Sequence, residues 1–174
     1  MNIRNYINQK DYKHLSSWIN NERIHDLWCA NRIPYPITEE NLNHLLLTFQ
    51  KASGQCAYTV TDESDIPIGF FIYIVDVAEK TGFLKFIMLN NEIRGRGYGT
   101  QMLALALNYA FEKTGVLSVS LNVFDINYGA KKCYQKLGFI ENSILKDAFS
   151  FQDEKWARCH MTVTKTAYLK RGDV

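Results

Sequence analysis

The chain has 174 residues, a net charge of +2, and a composition that is 47% hydrophobic and 13% aromatic. That is enough apolar material for one packed domain and too much for a disordered or fibrous chain. A balance so near neutral excludes the broad basic field of a general nucleic-acid or membrane-surface binder.

The opening segment Asn2–Ile7 predicts a strand. It runs into Asp11 and Lys13 with no apolar signal-like segment, and no window reaches the roughly 18 apolar residues of a spanning helix. A cytoplasmic protein without membrane or nucleic-acid partners is therefore expected. From about Asp11 to Ala30, the apolar residues Leu15, Trp18, Ile19, Ile24, Leu27 and Trp28 fall at helical spacing, with a break near Asn20-Asn21. Thr38 before Glu39-Glu40 predicts an N-cap with first-turn acids, and Leu42, Leu45, Leu46 and Phe49 supply the apolar face that follows. Ser53-Gly54 ends that helix. Gln55–Asp62, Ile66–Asp76 and Phe83–Leu89 then read as strands separated by polar turns.

After the third of these strands comes Arg94-Gly95-Arg96-Gly97-Tyr98-Gly99, followed by a long helix with Met102, Leu103, Ala106, Leu107, Ala110 and Phe111 on one stripe. Val116–Val123 predicts a strand, and Asn127–Leu137 a helix stopped by Gly138 at the position after its C-cap. Phe139–Lys146 and Trp156–Thr164 predict a closing antiparallel pair. The order β-α-α-β-β-β-α-β-α-β-β mixes hairpins with crossovers, which defines an α+β fold with a mixed sheet. The cysteines Cys29, Cys56, Cys133 and Cys159 have no metal-ligand spacing and read as free, buried thiols of a reducing compartment, so no metal is expected.

The glycine segment carries the chemistry. Glycines permit positive φ and close backbone approach, so successive N–H groups can converge on an anion, and the helix that follows adds its N-terminal donors. A pyrophosphate is the natural guest, with a plain Gly-rich turn as the structural alternative. Gly99 is followed by Thr100-Gln101, without the lysine of a nucleotide P-loop. A dinucleotide fold wants G-x-G-x-x-G where this chain has G-x-G-x-G. It also wants an acid beyond the next strand, and Asp125 stands there. The hairpin-like strands before the loop nevertheless disfavour that fold.

Two segments resemble the GNAT superfamily of N-acetyltransferases. Arg94, Gly97 and Gly99 match its R-x-x-G-x-G/A signature, and Asn127, Ala130, Tyr134, Lys136, Gly138 and Phe139 match a second run, N-x-x-A-x-x-x-Y-x-K-x-G-F. In its N-terminal helices and length the chain looks most like the branch containing ribosomal-protein N-terminal acetyltransferases. The resemblance implies one acyl-CoA N-acyltransferase domain over 1–174. Within it, 2–52 would be the acceptor side, 55–145 the acetyl-CoA core and 146–174 the closing strand region. The sheet would be mostly antiparallel and twisted, flanked by helices.

The same resemblance implies the site. Acetyl-CoA would lie between the strands Phe83–Leu89 and Val116–Val123, its pantetheine arm pairing with the backbone of Ile87, Met88 and Leu89. Arg94, Gly95, Arg96, Gly97, Tyr98, Gly99 and Thr100 would hold the pyrophosphate, with Asn127 and Lys136 as further cofactor contacts. Tyr134 would protonate the leaving thiolate, although the helical stripe Ala130, Cys133, Tyr134 and Leu137 also suits simple packing. Trp28 and Tyr35 would wall the acceptor pocket. Lys131, Lys132 and Lys136 form a basic set that reads either as a solvated face or as a contact for the CoA ribose phosphate.

No carboxylate stands on the strand before the loop, which reads Gly82-Phe83-Leu84-Lys85-Phe86. Asp76, Asp125, His25 and His160 are the scattered candidates for a base, with a water chain as the alternative. The implied partner is an amine, either a protein N-terminus or a small molecule. Oligomeric state is left open, a homodimer included. The competing readings are a CoA-binding regulatory module without turnover and a dinucleotide-binding protein.

Overall fold

In the computed structural model of the protein, residues 1–53 and 56–171 are described. Gly54 and Gln55, where a helix break and a strand start are expected, lie outside the described residues, as does the end of the chain from Gly172. The elements in order are β1 (Asn2–Asn5), α1 (Asn8–Trp18), α2 (Glu22–Cys29), α3 (Glu39–Ser53), β2 (Cys56–Thr61), β3 (Pro67–Asp76), β4 (Thr81–Leu89), α4 (Tyr98–Asn108), β5 (Ser118–Phe124), α5 (Tyr128–Lys136), β6 (Ile140–Phe151), β7 (Glu154–Thr164) and α6 (Lys165–Leu169). Strands hydrogen-bond in the order β1-β2-β3-β4-β5-β7-β6. The pairs β1/β2, β2/β3, β5/β7 and β6/β7 are antiparallel, while β4/β5 is parallel. This is the mixed, mostly antiparallel sheet expected of the sequence.

The chain forms two compact units. The first comprises Met1–Ile74 and Lys85–Arg96. Its core brings Leu15, Trp18 and Ile19 together with Trp28, Leu42, Phe70, Ile72 and Met88. The helical run expected over 11–30 is two helices, because Asn21 caps the second by accepting from Ile24 N–H at 2.9 Å. Thr38 and Asn41 cap α3 reciprocally, each side chain accepting from the other's N–H at 3.1 and 2.9 Å.

The first helix begins at Asn8, earlier than its apolar pattern suggests, because Asp11 reaches back to its start. The Asp11 carboxylate accepts from Ile7 N–H at 2.7 Å, from Thr59 Oγ1 at 2.7 Å, and from both Arg4 Nη atoms at 2.7 and 2.8 Å. One buried group thus joins β1, α1 and β2.

The second unit comprises Val75–Leu84 and the chain from Gly97 onward. The hairpin β6–β7 is longer than its hydrophobic pattern predicts. A register shift between Leu145 and Phe149 interrupts it, with Asp147 at φ 50°. Pairing then resumes where Phe149 and Phe151 stack on the fully buried Trp156. The helical stripe ending at Phe111 passes from α4 into a π-helical turn at Tyr109–Lys113. The short α6 has no apolar periodicity to announce it and is set by Thr164, whose hydroxyl accepts from Ala167 N–H at 3.1 Å. Cys29 and Cys159 are buried, as expected of all four cysteines, but Cys133 is half-buried and Cys56, opening β2, is exposed. Among the described residues no helix is long and apolar enough to cross a membrane.

Burial pushes the Asp11 carboxyl pKa up, but the hydrogen bonds from Arg4, Ile7 N–H and Thr59 outweigh it, and the net pKa is below the ordinary value. A depressed carboxyl pKa contributes stability that is present above the unfolded pKa of about 4 and is lost as pH falls through the folded value. Asp11→Ala is expected to cost about 3 kcal/mol, since it leaves the Ile7 N–H and Thr59 Oγ1 without their acceptor and leaves Arg4 with its contact to the exposed Asp65. Urea unfolding at neutral pH checks the loss. A pH series below about 5 should then show a shallower decline for the variant than for the parent.

Candidate functional site

The glycine segment ends β4's connection and begins α4 from within. The helix starts at Tyr98, inside the motif, with Gly97 as its N-cap. Gly95 and Gly97 lie at φ 78° and 85°, the left-handed region that a side chain rarely occupies. A Cβ at Gly95 would meet nothing within 4 Å, and at Gly97 only the Gln101 amide nitrogen at 4.0 Å, so conformation rather than crowding demands glycine here. The first intrahelical bond is Gln101 N–H to Gly97 O at 3.1 Å. The N–H groups of Tyr98, Gly99 and Thr100 are thereby left without intrahelical acceptors. No side chain caps them and no acid stands in the first turn. Donors plus the positive end of the helix dipole make this an anion site.

Upstream, Arg94 folds back along the end of β4, with Nη2 3.4 Å from both Met88 Sδ and Leu89 O. Arg94 and Arg96 make no ion pair among the described residues. Within β4 itself, Phe86 sits at φ 52°, an uncommon conformation for a bulky residue in a strand. Trp28 fixes it by donating its Nε1–H to Phe86 O at 2.7 Å, with the two rings 5.4 Å apart. Ile87, Met88 and Leu89 follow directly. A positive-φ phenylalanine has no sequence signature, and the sequence reading missed both this kink and the tryptophan that holds it. Trp28, expected at an acceptor pocket, is buried, and Tyr35 is partly exposed with its ring 5.5 Å from that of His25.

In the second unit α5 packs against α4. Asn127 caps α5, accepting from Ala130 N–H at 3.3 Å. Tyr134 is buried on the inner side of that helix, its ring 5.8 Å from Phe139. Its hydroxyl makes no hydrogen bond among the described residues. Burial, and then the nearby Cys133, raise the phenol pKa well above its ordinary value, so Tyr134 is protonated at neutral pH. Gly138 at φ 92° closes the helix where a Cβ would come within 3.2 Å of the Arg171 side chain. Lys131 is engaged by Glu141 at 2.9 Å, whereas Lys132 and Lys136 are exposed.

The scattered candidates for a base all have structural partners. Asp76 accepts from Glu79 N–H at 3.0 Å, and Asp125 accepts from Ala157 and Ile126 N–H, each at 3.0 Å. The fully buried His25 lies between Asp26 at 2.9 Å and Cys29 at 3.3 Å, and His160 Nδ1 is 3.0 Å from Asn122. Among the described residues no group of three His, Cys, Asp or Glu side chains could hold a metal.

A glycine-capped, donor-rich helix start after a kinked strand, on a mixed sheet with a parallel β4/β5 pair, defines an acyl-CoA N-acyltransferase fold. Residues 21–139 match the Acetyltransferase (GNAT) family, and the chain belongs to that family. It is 36% identical over 67 residues to the uncharacterized N-acetyltransferase YycN of Bacillus subtilis (strain 168). That match covers 38% of this chain and 42% of the relative's length. Among solved structures it resembles the spermidine N-acetyltransferase of Vibrio cholerae in complex with CoA and spermine (TM-score 0.82, 21% identity, 97% of each chain). The dodecameric form of a Vibrio cholerae spermidine N-acetyltransferase is similar too (TM-score 0.76, 20% identity, 99% of this chain and 98% of that one). At these identities the structures share the fold.

Trp28→Phe keeps an aromatic side chain but deletes the donor to Phe86 O together with part of the buried indole. The loss should cost about 1–3 kcal/mol, from the half-buried acceptor left without its donor and the apolar volume removed with it. Urea denaturation measures it, and an unchanged midpoint would mean that the kink holds without the tryptophan.

Proposed function

We propose that the protein transfers the acetyl group of acetyl-CoA to a primary amine by direct attack on the thioester. The observation that carries this reading is the start of α4. Its free N–H groups, the left-handed Gly95 and Gly97, and the space above them suit a diphosphate and offer nothing to a cation. The N–H groups of Gly95 through Thr100 would hold that diphosphate, with Arg94 and Arg96 adding positive charge. The backbone of Ile87, Met88 and Leu89 would align the pantetheine arm, and Asn127 and Lys136 would add polar contacts.

Acetyl-CoA, when bound, supplies a thioester carbonyl carbon open to attack. Met88 N–H would polarise the carbonyl oxygen, a contribution of about 10²–10³ in rate for a well-aimed donor. As the amine nitrogen bonds to the carbonyl carbon and the C–S bond breaks, Tyr134 would give its phenolic proton to the departing sulfur. The ammonium formed on the acceptor loses its proton to water, since β4 carries no carboxylate. Protonated Tyr134 on α5 favours turnover over a regulatory module that only binds CoA. G-x-G-x-G spacing after hairpin strands disfavours a dinucleotide.

The acceptor is an amine on a protein N-terminus or a small molecule. The N-terminal helices suggested the ribosomal-protein branch, whereas the structural relatives are named for spermidine, and neither likeness selects the acceptor. For a homodimer, β6 is available as the outer strand of the sheet order, with Ile140, Ile144 and Leu145 exposed.

Acetyl-CoA and CoA should each raise the melting temperature where NAD does not, a ligand at 100 Kd adding about 2.7 kcal/mol. Gly97→Ala should abolish most of that shift by straining the N-cap. Tyr134→Phe should keep the shift while thiol release with an amine falls by about tenfold or more. Unaltered turnover in Tyr134→Phe would remove the phenol from the mechanism. A stabilising effect of NAD with none from CoA would overturn the proposed cofactor.

A further inference from the structure

A second charged group near the kink of β4, Lys85, makes no ion pair among the described residues. Lys85 immediately precedes Phe86 and lies two positions before Ile87. Its ammonium sits 3.4 Å from the centroid of the Phe49 ring on α3 and 5.7 Å from that of Phe86. Burial, and then the charge of Arg32, pull its pKa down to about 8. No carboxylate forms an ion pair with either Lys85 or Arg32 among the described residues. The contrast with the same unit's other buried charge is direct, because Arg4 and Asp11 satisfy one another at 2.7 Å. Lys85, half-buried over the face of Phe49 and opposed by the charge of the exposed Arg32, is a cation that a bound anion would stabilise.

We propose that Lys85 and Arg32 recognise a carboxylate on the acceptor, so that the substrate is a carboxylate-bearing primary amine and not a polyamine. The inference rests on the acetyl-transfer reading, because the stretch that would align the pantetheine arm begins two residues after Lys85. An arriving carboxylate supplies the missing counter-ion and relieves the repulsion between Lys85 and Arg32. A polyamine brings further ammonium groups toward two cations and is repelled. The same positive charge lowers the pKa of the acceptor's own ammonium, which raises the fraction of neutral, nucleophilic amine. That effect suits a strand with no carboxylate to act as base.

The test is thiol release from acetyl-CoA with ω-amino acids (β-alanine, γ-aminobutyrate, δ-aminovalerate), each compared with the diamine of equal carbon count, and with spermidine. A parallel arm compares short peptides beginning with Asp and with Asn, to separate a free amino acid from an acidic protein N-terminus. The carboxylate-bearing member of a pair should have the higher kcat/KM by about tenfold or more, the worth of one charge-assisted contact. Lys85→Gln should shrink that ratio mainly through KM, Arg32→Gln should do the same, and Lys85→Glu should reverse it toward the diamine. Acetyl-CoA melting shifts on each variant report that the fold and the cofactor site are intact. Turnover of diamines or spermidine at or above the level of their carboxylate partners would overturn the inference and leave acetyl transfer standing. A ratio unmoved by both glutamine variants would do so as well. Failure of acetyl-CoA to stabilise the parent protein would remove the acetyl-transfer reading, and the inference with it.

Discussion

The hydrogen bond from Trp28 Nε1 to Phe86 O is the constraint on which the conformation of β4 within the first unit turns. A non-glycine residue at positive φ inside a strand costs of order 1–3 kcal/mol and persists only where its surroundings over-determine it. At Phe86 those surroundings are a 2.7 Å bond from a buried indole and the rings of Trp28 and Phe49, at 5.4 and 5.8 Å. The kink re-aims the backbone of Ile87, Met88 and Leu89 relative to a regular strand. A residue outside the β region interrupts the alternation of the pleat, so the N–H groups that follow it are presented differently from those of a regular strand.

That constraint also explains what the sequence did and did not disclose. Helix ends were legible at Thr38 and Gly138, which act through local hydrogen bonds and φ preferences, while at Asn20-Asn21 only a break was legible and the Asn21 cap was not. The strands were legible to within a few residues because their apolar content changes period at their ends. The glycine motif was legible because positive φ at Gly95 and Gly97 is a backbone demand that few residues meet. Illegible features depend on partners distant in sequence. Phe86 takes its conformation from Trp28, the start of α1 is drawn back by Asp11, and the far half of β6 is built on Trp156. Each is an ordinary residue whose role is assigned by contact and not by composition. Lys85 belongs with them. In the sequence it marks only the lack of a carboxylate on β4, while in the structure it is a half-buried cation on an aromatic ring.

Two buried charges in the first unit show how differently such groups are used. The Asp11 carboxylate has all its demands met, by Arg4, the Ile7 amide and Thr59, and it serves as the joint between β1, α1 and β2. Removing Arg4 would leave the buried carboxylate without its cation, and removing Asp11 would leave Thr59 and the Ile7 amide without an acceptor, so its worth is structural. Lys85 has the faces of Phe49 and, further off, Phe86, and cation–π contact recovers only part of the solvation an ammonium loses on partial burial. A fold that can satisfy one charge so completely shows no general inability to place acids beside bases.

The unsatisfied cation and the absent strand carboxylate are then one fact seen twice. An acetyltransferase must deprotonate its amine, and a carboxylate beside the acceptor does so at the cost of stabilising the ammonium it has to discharge. A cation beside the acceptor works on the equilibrium from the other side, making the neutral amine easier to reach and leaving the proton for water to carry. Such a site gains nothing from an acceptor whose binding depends on its own positive charge. It favours one that brings a negative charge elsewhere in the molecule, held by Lys85 and Arg32 while the amine faces the thioester. Acceptor choice and proton management would in that way be set by one pair of side chains, one of them on β4 immediately before the positive-φ Phe86.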